Sequence, residues 1–248
     1  MAPLAGERRA ELVTSLGAVR ARIANACIEA GRDPHSVTLI AVTKTYPAAD
    51  VATLATLGVL DIGESRDQEA AAKVAEVAEA QGHGAADERG PSLRWHFVGR
   101  LQSRKARSVA TYAHAVHSVD RPELIGQLAA AVTRAGRGRL DVFVQVSLDG
   151  DPARGGVAGG GVLALADVVA ARAQLRLRGV MAIAPMAAEP HRAFAELAAA
   201  SAQLRVAHPE ADAISAGMSV DLEAAITHGS THVRVGTALL GRRSQVFG

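Results

Sequence analysis

Short β-rich runs alternate with alanine-rich helical stretches along almost the whole chain, and this alternation constrains the fold more than any other feature. Eight runs are predicted as strands, at residues 38–44, 60–65, 94–99, 115–120, 141–148, 177–184, 213–218 and 232–239. Helical patterns lie between them, near residues 48–57, 66–81, 101–112, 121–135, 161–174, 189–206 and 221–228. Because eight strand–helix units are the number that closes a parallel barrel, the sequence predicts an α/β fold, a single (β/α)8 TIM barrel.

The predicted barrel covers about residues 36–241 of one domain spanning residues 1–248. A further helical pattern over about 7–30 precedes the first strand, and we expect this extra helix to lie across one end of the barrel. After residue 241 only seven residues remain, so we expect no second domain behind the barrel.

The charge balance and the composition exclude several classes of protein. The chain has 27 basic and 25 acidic residues and only 3% aromatic residues, whereas nucleic-acid binders usually show a basic excess or a basic stripe with interleaved aromatics. No apolar run approaches the roughly 18 residues of a membrane span, and the N-terminus lacks the pattern of a signal peptide. The lone Cys27 excludes an internal disulfide and fits a buried helix position. We therefore expect a cytoplasmic protein without nucleic-acid or membrane partners.

Two glycine-containing segments, 82–92 and 149–161, are predicted as loops. The second runs into Gly159–Ala164, which formally matches the nucleotide-binding pattern G-x-G-x-x-A. Such a pattern should follow its strand directly and be answered by an acid at the end of the next strand, and neither condition is met. The histidine pairs 114/117 and 228/232 lack acidic or cysteine companions at ligand spacing, so no metal site is predicted.

Lysine is rare in this chain, which makes its position informative. Of the 27 basic residues only Lys44, Lys73 and Lys105 are lysines. Lys73 and Lys105 fall in charge-mixed helical stretches and are predicted to be solvated. Lys44 ends an apolar strand on the face of Ile40 and Val42, which would place it at the C-terminal mouth of a barrel, where barrel enzymes place their chemistry. A desolvated amine there would be a carbonyl nucleophile, a role that arginine cannot take.

The last two strands supply polar groups that would converge on the same mouth. Alternation in the eighth strand points Arg234 inward, where a guanidinium needs a polar partner. Gly236 would let a ligand approach the backbone, and Thr237 adds a hydroxyl. Ser219 follows the seventh strand at a helix start, and phosphate sites in such barrels commonly use the loops after strands seven and eight. His96 should also point inward, and a hydrogen-bonded core histidine is the interpretation we favour for it.

Several motifs resemble, in order, those of the pyridoxal phosphate homeostasis proteins (the YggS/PROSC-like group). Residues 41–45 (AVTKT) resemble A-V-S-K-T, residues 63–69 (GESRDQE) resemble G-E-N-R-x-Q-E, and residues 95–102 (WHFVGRLQ) resemble W-H-F-I-G-x-L-Q. The similarity continues through residues 117–120, 177–183, 215–225 and 229–241. Three positions depart from the family pattern. Ser65 stands where the family has Asn, Ala216 stands where it has Met, and Arg100 stands where it often has His.

The resemblance implies a barrel like the N-terminal domain of alanine racemases that binds pyridoxal 5′-phosphate (PLP). It implies that Lys44 holds PLP as a Schiff base and that Arg234 meets the pyridine nitrogen. The phosphate would be held by Ser219, Gly236 and Thr237, with Ser215 as an addition, and Ser65 would replace the family amide near the cofactor. The remaining expectations are a role in intracellular vitamin B6 balance without robust catalysis, a monomer, and PLP-dependent apo-enzymes as recipients.

Two rival functions remain open at this point. The first is a PLP-dependent enzyme of racemase or lyase type, and the second is a cofactor-free Schiff-base aldolase that uses Lys44 on a sugar phosphate. A purely structural or interaction protein fits poorly, because it leaves an inward lysine and an inward arginine unexplained.

Overall fold

The computed structural model describes residues 5–80 and 92–241. Its eight parallel strands close into a barrel in sequence order, which confirms the predicted fold class. The strands are β1 (Thr38–Val42), β2 (Asp61–Glu64), β3 (Arg94–Phe97), β4 (Ala115–Val119), β5 (Leu140–Gln145), β6 (Leu175–Met181), β7 (Ala213–Ser215) and β8 (His232–Val235). β1 closes the barrel by pairing with β8, from Thr38↔His232 to Ala41↔Val235.

Helices surround the strands and cover their outward faces. They are α1 (Ala5–Glu29), α2 (Ala48–Thr56), α3 (Asp67–Ala80), α4 (Ala106–Tyr112), α5 (Pro122–Arg134), α6 (Val162–Ala170), α7 (Pro190–Ala207), α8 (Leu222–Thr227) and α9 (Thr237–Leu240). Outward strand residues such as Ala41, Val233 and Val235 pack into one apolar cluster with residues of α1, α2 and α8. The inward faces carry polar groups beside a small apolar cluster of Ala115, Phe143, Met181 and Ala213, and these polar groups matter for the site.

The extra helix α1 runs along the outside of the barrel. Its residues Leu12, Leu16 and Val19 are buried in the same apolar cluster as α2 and α8. Near its start Arg8 donates to the carbonyl of Leu240 in α9, and just past its end Arg32 donates to Ile226 in α8. The expectation that this helix lies across one barrel end is therefore wrong, because its apolar stripe packs against the outer helices.

The predicted elements differ from the observed ones mainly at the C-terminal ends of strands. The predicted strand 232–239 is wrong beyond Val235, because α9 begins at Thr237. The segment 149–161 is a loop, as predicted, with an isolated β-bridge from Val157 to Val146 and a 3-10 turn at Gly159–Gly161. Of the other predicted loop, residues 82–91 lie outside the described part. Among the described helices, none is long and apolar enough to cross a bilayer, and Cys27 is buried.

Candidate active site at the barrel mouth

The C-terminal ends of adjacent strands bring most of the predicted site residues to one rim. Lys44 lies two residues past β1, Ser65 directly follows β2, and Gly236 and Thr237 directly follow β8. Since β8, β1 and β2 are neighbours in a parallel barrel, these positions share the same edge. A Cβ atom at Gly236 would lie 3.3 Å from the carbonyl oxygen of Val42, so the ends of β8 and β1 approach closely.

The Lys44 side chain is exposed at this rim. It makes no hydrogen bond or ion pair with any residue in the ranges 5–80 and 92–241. The prediction of a desolvated amine is therefore not met, because β1 ends at Val42 and the amine lies beyond the closed part of the sheet. What the fold supplies is an amine without a protein partner at the mouth, available to a ligand.

Lys73 is buried beside Lys44, so the prediction that it is solvated is wrong. Its Nζ atom donates to the carbonyl oxygen of Thr43 at 2.7 Å and to Glu64 Oε1 at 2.5 Å. The Thr43 hydroxyl donates to the same Glu64 oxygen at 2.6 Å. The helical pattern around Lys73 indicated a solvated position because it mixes charges, but α3 turns Lys73 toward the end of β2.

Glu69 completes this cluster on the other side of Lys44. It accepts a hydrogen bond from the backbone N–H of Thr45 and lies 3.2 Å from Lys73 Nζ. Thr45 has φ of 68°, a left-handed conformation that non-glycine residues adopt at a cost. The residues before and after Lys44 are thus both fixed by Glu64, Glu69 and Lys73, which explains why both glutamates belong to the motif at 63–69.

Arg234 lies inside the barrel, as predicted, and its polar partners are identified. Its Nη1 donates to Ser215 Oγ at 2.7 Å, and its Nη2 donates to the carbonyl oxygen of Ala182 at 2.8 Å. Burial lowers the pKa of the guanidinium to about 10, although Asp221 opposes the shift. The group therefore remains protonated at neutral pH and can only donate hydrogen bonds.

Ser215 connects Arg234 to a buried chain of polar side chains that crosses the barrel. Its Oγ lies 2.8 Å from His117 Nδ1, His117 Nε2 lies 2.9 Å from His96 Nδ1, and His96 Nε2 lies 2.9 Å from Asp61 Oδ1. Since β4 and β7 are not neighbouring strands, the contact between His117 and Ser215 passes through the barrel interior. His96 is thus a hydrogen-bonded core histidine, as we favoured.

The two ends of this chain fix the direction of every hydrogen bond in it. Burial raises the pKa of Asp61, but hydrogen bonds from His96 and Arg94 outweigh it and lower the pKa to about 2, so Asp61 is an ionised acceptor. Arg234 at the other end can only donate. Ser215 must then donate to His117, and each histidine must carry its proton on Nε2. Burial lowers the pKa of His117, and the charge of Arg234 lowers it further, which agrees with a neutral ring.

Ser219 lies at the rim and connects the loop after β7 to the helix after β8. Its Oγ accepts a hydrogen bond from the backbone N–H of Ala238 at 3.1 Å. The expectation that Ser219 starts a helix is inaccurate, since α8 begins at Leu222, but its hydroxyl does meet the first turn of α9. Ser219, Gly236 and Thr237 are thus brought together, whereas Ser215 lies deeper, with its hydroxyl engaged by Arg234 and His117.

Gly99 is a further residue that shapes the rim, and the sequence reasoning did not single it out. A Cβ atom at Gly99 would lie 2.3 Å from the carbonyl oxygen of Ser65. Because glycine has no side chain, the loop after β3 can pack directly on the backbone of the loop after β2. Gly99 belongs to the W-H-F-V-G motif. Among the described residues, no group of three or more His, Cys, Asp or Glu side chains could hold a metal ion.

Comparisons with known proteins agree with this architecture. Residues 14–244 match the family described as Alanine racemase, N-terminal domain. The Pyridoxal phosphate homeostasis protein of Mycobacterium leprae is 45% identical over 246 residues, covering 96% of this chain and 95% of that protein. The protein of the same name from Pseudomonas aeruginosa is 42% identical over 235 residues, covering 94% of this chain and 96% of that protein. The chain belongs to the pyridoxal phosphate homeostasis protein family.

Solved structures place this family member in the same fold group. PipY of Synechococcus elongatus, solved with PLP bound, is 32% identical and superposes with a TM-score of 0.78, covering 93% of this chain and all of PipY. Alanine racemase of Corynebacterium glutamicum superposes with a TM-score of 0.59 at 17% identity, over 90% of this chain and 60% of the racemase. The second likeness supports the barrel fold alone, whereas the family match and the curated relatives confirm the resemblance that the motifs indicated.

Proposed function

We propose that this protein binds PLP at the barrel mouth, with Lys44 holding it as a Schiff base, and serves intracellular PLP homeostasis. The observation that carries the proposal is the Lys44 amine, which has no partner among the described residues and lies on the same rim as Ser219, Gly236 and Thr237. The relatives named Pyridoxal phosphate homeostasis protein and the PLP-bound PipY support the choice of ligand.

The residues present fit the chemical groups of PLP. An aldehyde needs an amine, which Lys44 provides without a competing hydrogen bond or ion pair from residues 5–80 or 92–241. A phosphate needs hydroxyl and backbone N–H donors, and the first residue of α9, Thr237, has an N–H with no acceptor inside that helix. Ser65, at the end of β2, is proposed to line the same site. We propose that Ser215 acts through Arg234 rather than on the phosphate, because its only hydrogen is donated to His117 and a phosphate needs a donor.

Arg234 is proposed to face the pyridine nitrogen. PLP, when bound, supplies an electron sink to amino acids, and that property depends on a protonated ring nitrogen. A guanidinium that is held by Ser215 and Ala182 and remains charged can donate to this nitrogen but cannot accept a proton from it. We therefore propose a carrier or regulator without robust stand-alone catalysis, acting as a monomer in the cytoplasm and supplying PLP to apo-enzymes.

The absorbance spectrum of the purified protein tests the assignment. With added PLP, the wild-type protein should show the visible band of a PLP Schiff base, and borohydride should fix the cofactor to the peptide that contains Lys44. Lys44→Ala should lack both signals, while Lys105→Ala, which removes a partly exposed lysine paired with Asp67, should retain them. A wild-type protein without the band at excess PLP would overturn the proposal.

The same preparations separate the rival functions. Exchange of the α-hydrogen of amino acids, lost in Lys44→Ala, would identify a PLP-dependent racemase or lyase instead. Borohydride trapping that occurs only when a sugar phosphate is added, in a colourless protein, would identify the aldolase.

A further inference from the structure

The end of the barrel opposite the mouth contains a polar cavity of about 230 Å³. Its lining includes three arginines, Arg94, Arg176 and Arg178, and two aspartates, Asp61 and Asp141. Asp61 and Arg94 are the first residues of β2 and β3, and Asp141 and Arg176 are the second residues of β5 and β6, so the cavity lies at the N-terminal ends of the strands. The proposed cofactor site uses none of the three arginines.

Two of the arginines are neutralised by the two aspartates. Arg94 and Asp61 are register partners on β3 and β2, and their two hydrogen bonds are 2.7 and 2.5 Å long. Arg176 and Asp141 are register partners on β6 and β5, with hydrogen bonds of 2.6 and 2.8 Å. Such bidentate pairs occupy both oxygens of each carboxylate. The third guanidinium at this cavity is therefore in excess.

Arg178 is that excess group, and an irregularity in the sheet places it at the cavity. Val142 pairs with Leu177 and Phe143 pairs with Gly179, so Arg178 is an extra residue in β6 with no partner on β5. Bulges of this kind redirect a side chain and are common next to functional sites. The Nε atom of Arg178 lies 3.6 Å from Asp141 Oδ2, beyond hydrogen-bond distance, and the side chain has no hydrogen bond to any described residue.

Two histidines add hydrogen-bonding groups without adding charge. His114 and His232 line the same cavity. Burial lowers the pKa of both rings, in the case of His232 to about 4, so both are neutral near pH 7. Three guanidinium groups against two carboxylates leave the cavity with one net positive charge and several N–H donors.

We propose that this cavity is a binding site for a small oxyanion of the phosphate class, with Arg178 as its principal ligand. A guanidinium presents a planar fork of donors that matches two oxygens of a phosphate. Arg178 shares Asp141 with Arg176 at a longer distance and makes no hydrogen bond to it, so its donors are available to such an anion. The cavity is smaller than typical pockets for drug-sized ligands, which favours a phosphate group over a large metabolite. The site does not rest on the proposed PLP function.

Titration with inorganic phosphate tests the site directly. The wild-type protein is first saturated with PLP, so that the proposed phosphate-binding groups at the mouth are occupied. Calorimetric titration with phosphate should then give a saturable heat of binding, and titration with chloride at equal ionic strength should not. Arg178→Gln should weaken this binding about tenfold or more, the value of one charge-assisted hydrogen bond. Arg205→Gln, which removes the same charge from an exposed position on α7, should leave it unchanged.

Three results would overturn the proposal. They are the absence of saturable phosphate binding, binding that Arg178→Gln leaves intact, and an equal loss in Arg178→Gln and Arg205→Gln. Should the protein fail to bind PLP, the same titration is run on the unloaded protein, and the Arg178 dependence still decides. Matching circular dichroism spectra of the two variants show that folding does not cause the difference.

Discussion

The Nζ atom of Lys73 lies 2.7 Å from the carbonyl oxygen of Thr43, the residue immediately before Lys44. This contact joins the buried side of α3 to the end of β1, and Glu64 Oε1 accepts from both the amine and the Thr43 hydroxyl. Lys73 is therefore a buried structural lysine, and it fixes the backbone next to Lys44. The second Glu64 oxygen, Oε2, is buried without a hydrogen bond among the described residues.

Lys73→Met should destabilise the protein strongly. The substitution leaves Glu64 buried without its cation, and breaking a buried ion pair in this way costs about 3–5 kcal/mol. Burial already raises the pKa of Glu64, although Lys73 and Thr43 oppose this, so the carboxyl should become protonated in the variant. Urea unfolding at pH 7.5 measures the loss. Lys105→Met, at an amine 3.4 Å from Asp67 on a partly exposed side chain, should cost less than about 1 kcal/mol.

A double substitution shows whether the charge is the cause. Glu64→Gln combined with Lys73→Met removes both partners, so part of the lost free energy of unfolding should return, with a coupling energy of about 1 kcal/mol or more. Additive losses would mean that Lys73 stabilises the fold by packing alone. PLP retention should fall in Lys73→Met and recover only in part in the double variant, because Thr43 loses its donor in both.

The barrel was predictable because its signals are local. Each strand is a short apolar run such as 38–42, and each helix has its own periodicity, so all eight strands were placed to within a few residues. The strand ends were less predictable, because an apolar run continues past the last ladder hydrogen bond. Thr237–Leu240 shows this: four residues are too few for helical periodicity, and the apolar run resembles a continued strand.

The site was predictable only where a residue type is costly or rare. Lys44 stood out because lysines are few, and Arg234 because an inward guanidinium needs partners. The partners themselves, Ser215 and the chain through His117, arise from contacts between distant strands, which no local pattern encodes. Lys73 was misjudged for the same reason, since its burial depends on Glu64 from another element.

Gly99→Ala should destabilise the protein and loosen the rim. The added Cβ would lie 2.3 Å from the carbonyl oxygen of Ser65, which is backbone and cannot rotate away. Overpacking of this kind costs about 1–3 kcal/mol, and displacement of Ser65 should weaken PLP binding several-fold. Gly126→Ala on α5 is the matched control, because a Cβ there meets nothing within 4 Å. That variant should be as stable as the wild type or more so, by up to about 1 kcal/mol.

Ser219→Ala should weaken PLP binding more than it weakens the fold. The hydroxyl accepts one hydrogen bond, from Ala238 N–H, near the protein surface, so its loss should cost about 1 kcal/mol of stability. If Ser219 also binds the phosphate, PLP affinity should fall about tenfold, the value of a hydrogen bond to a charged group. Spectrophotometric titration measures the affinity, with Ser108→Ala on the outer helix α4 as control. Equal affinities in the two variants would remove Ser219 from the phosphate site.

Acidification should destabilise the protein below about pH 6.5 through its neutral buried histidines. Burial lowers the folded-state pKa of His117, and neighbouring positive charge lowers it further. Burial is also the main reason why the folded-state pKa of His232 is lowered to about 4. In the unfolded chain both rings take up a proton near pH 6.5, so the unfolded state binds more protons below that pH. The stabilisation is therefore complete above pH 6.5 and is lost as the pH falls toward the folded-state pKa values.

The slope of unfolding free energy against pH isolates the contribution of His117. Between pH 6.5 and pH 5, each such histidine should contribute up to about 1.4 kcal/mol per pH unit. His117→Asn should lower the stability at pH 7.5, because the chain from Arg234 to Asp61 is cut, but it should also reduce the slope by about this amount. His191→Asn, at an exposed position on α7, should leave the slope as in the wild type. Parallel slopes for all three proteins would contradict a neutral His117. They would also contradict the inferred hydrogen-bond direction, in which Arg234 donates to Ser215 and Ser215 donates to His117.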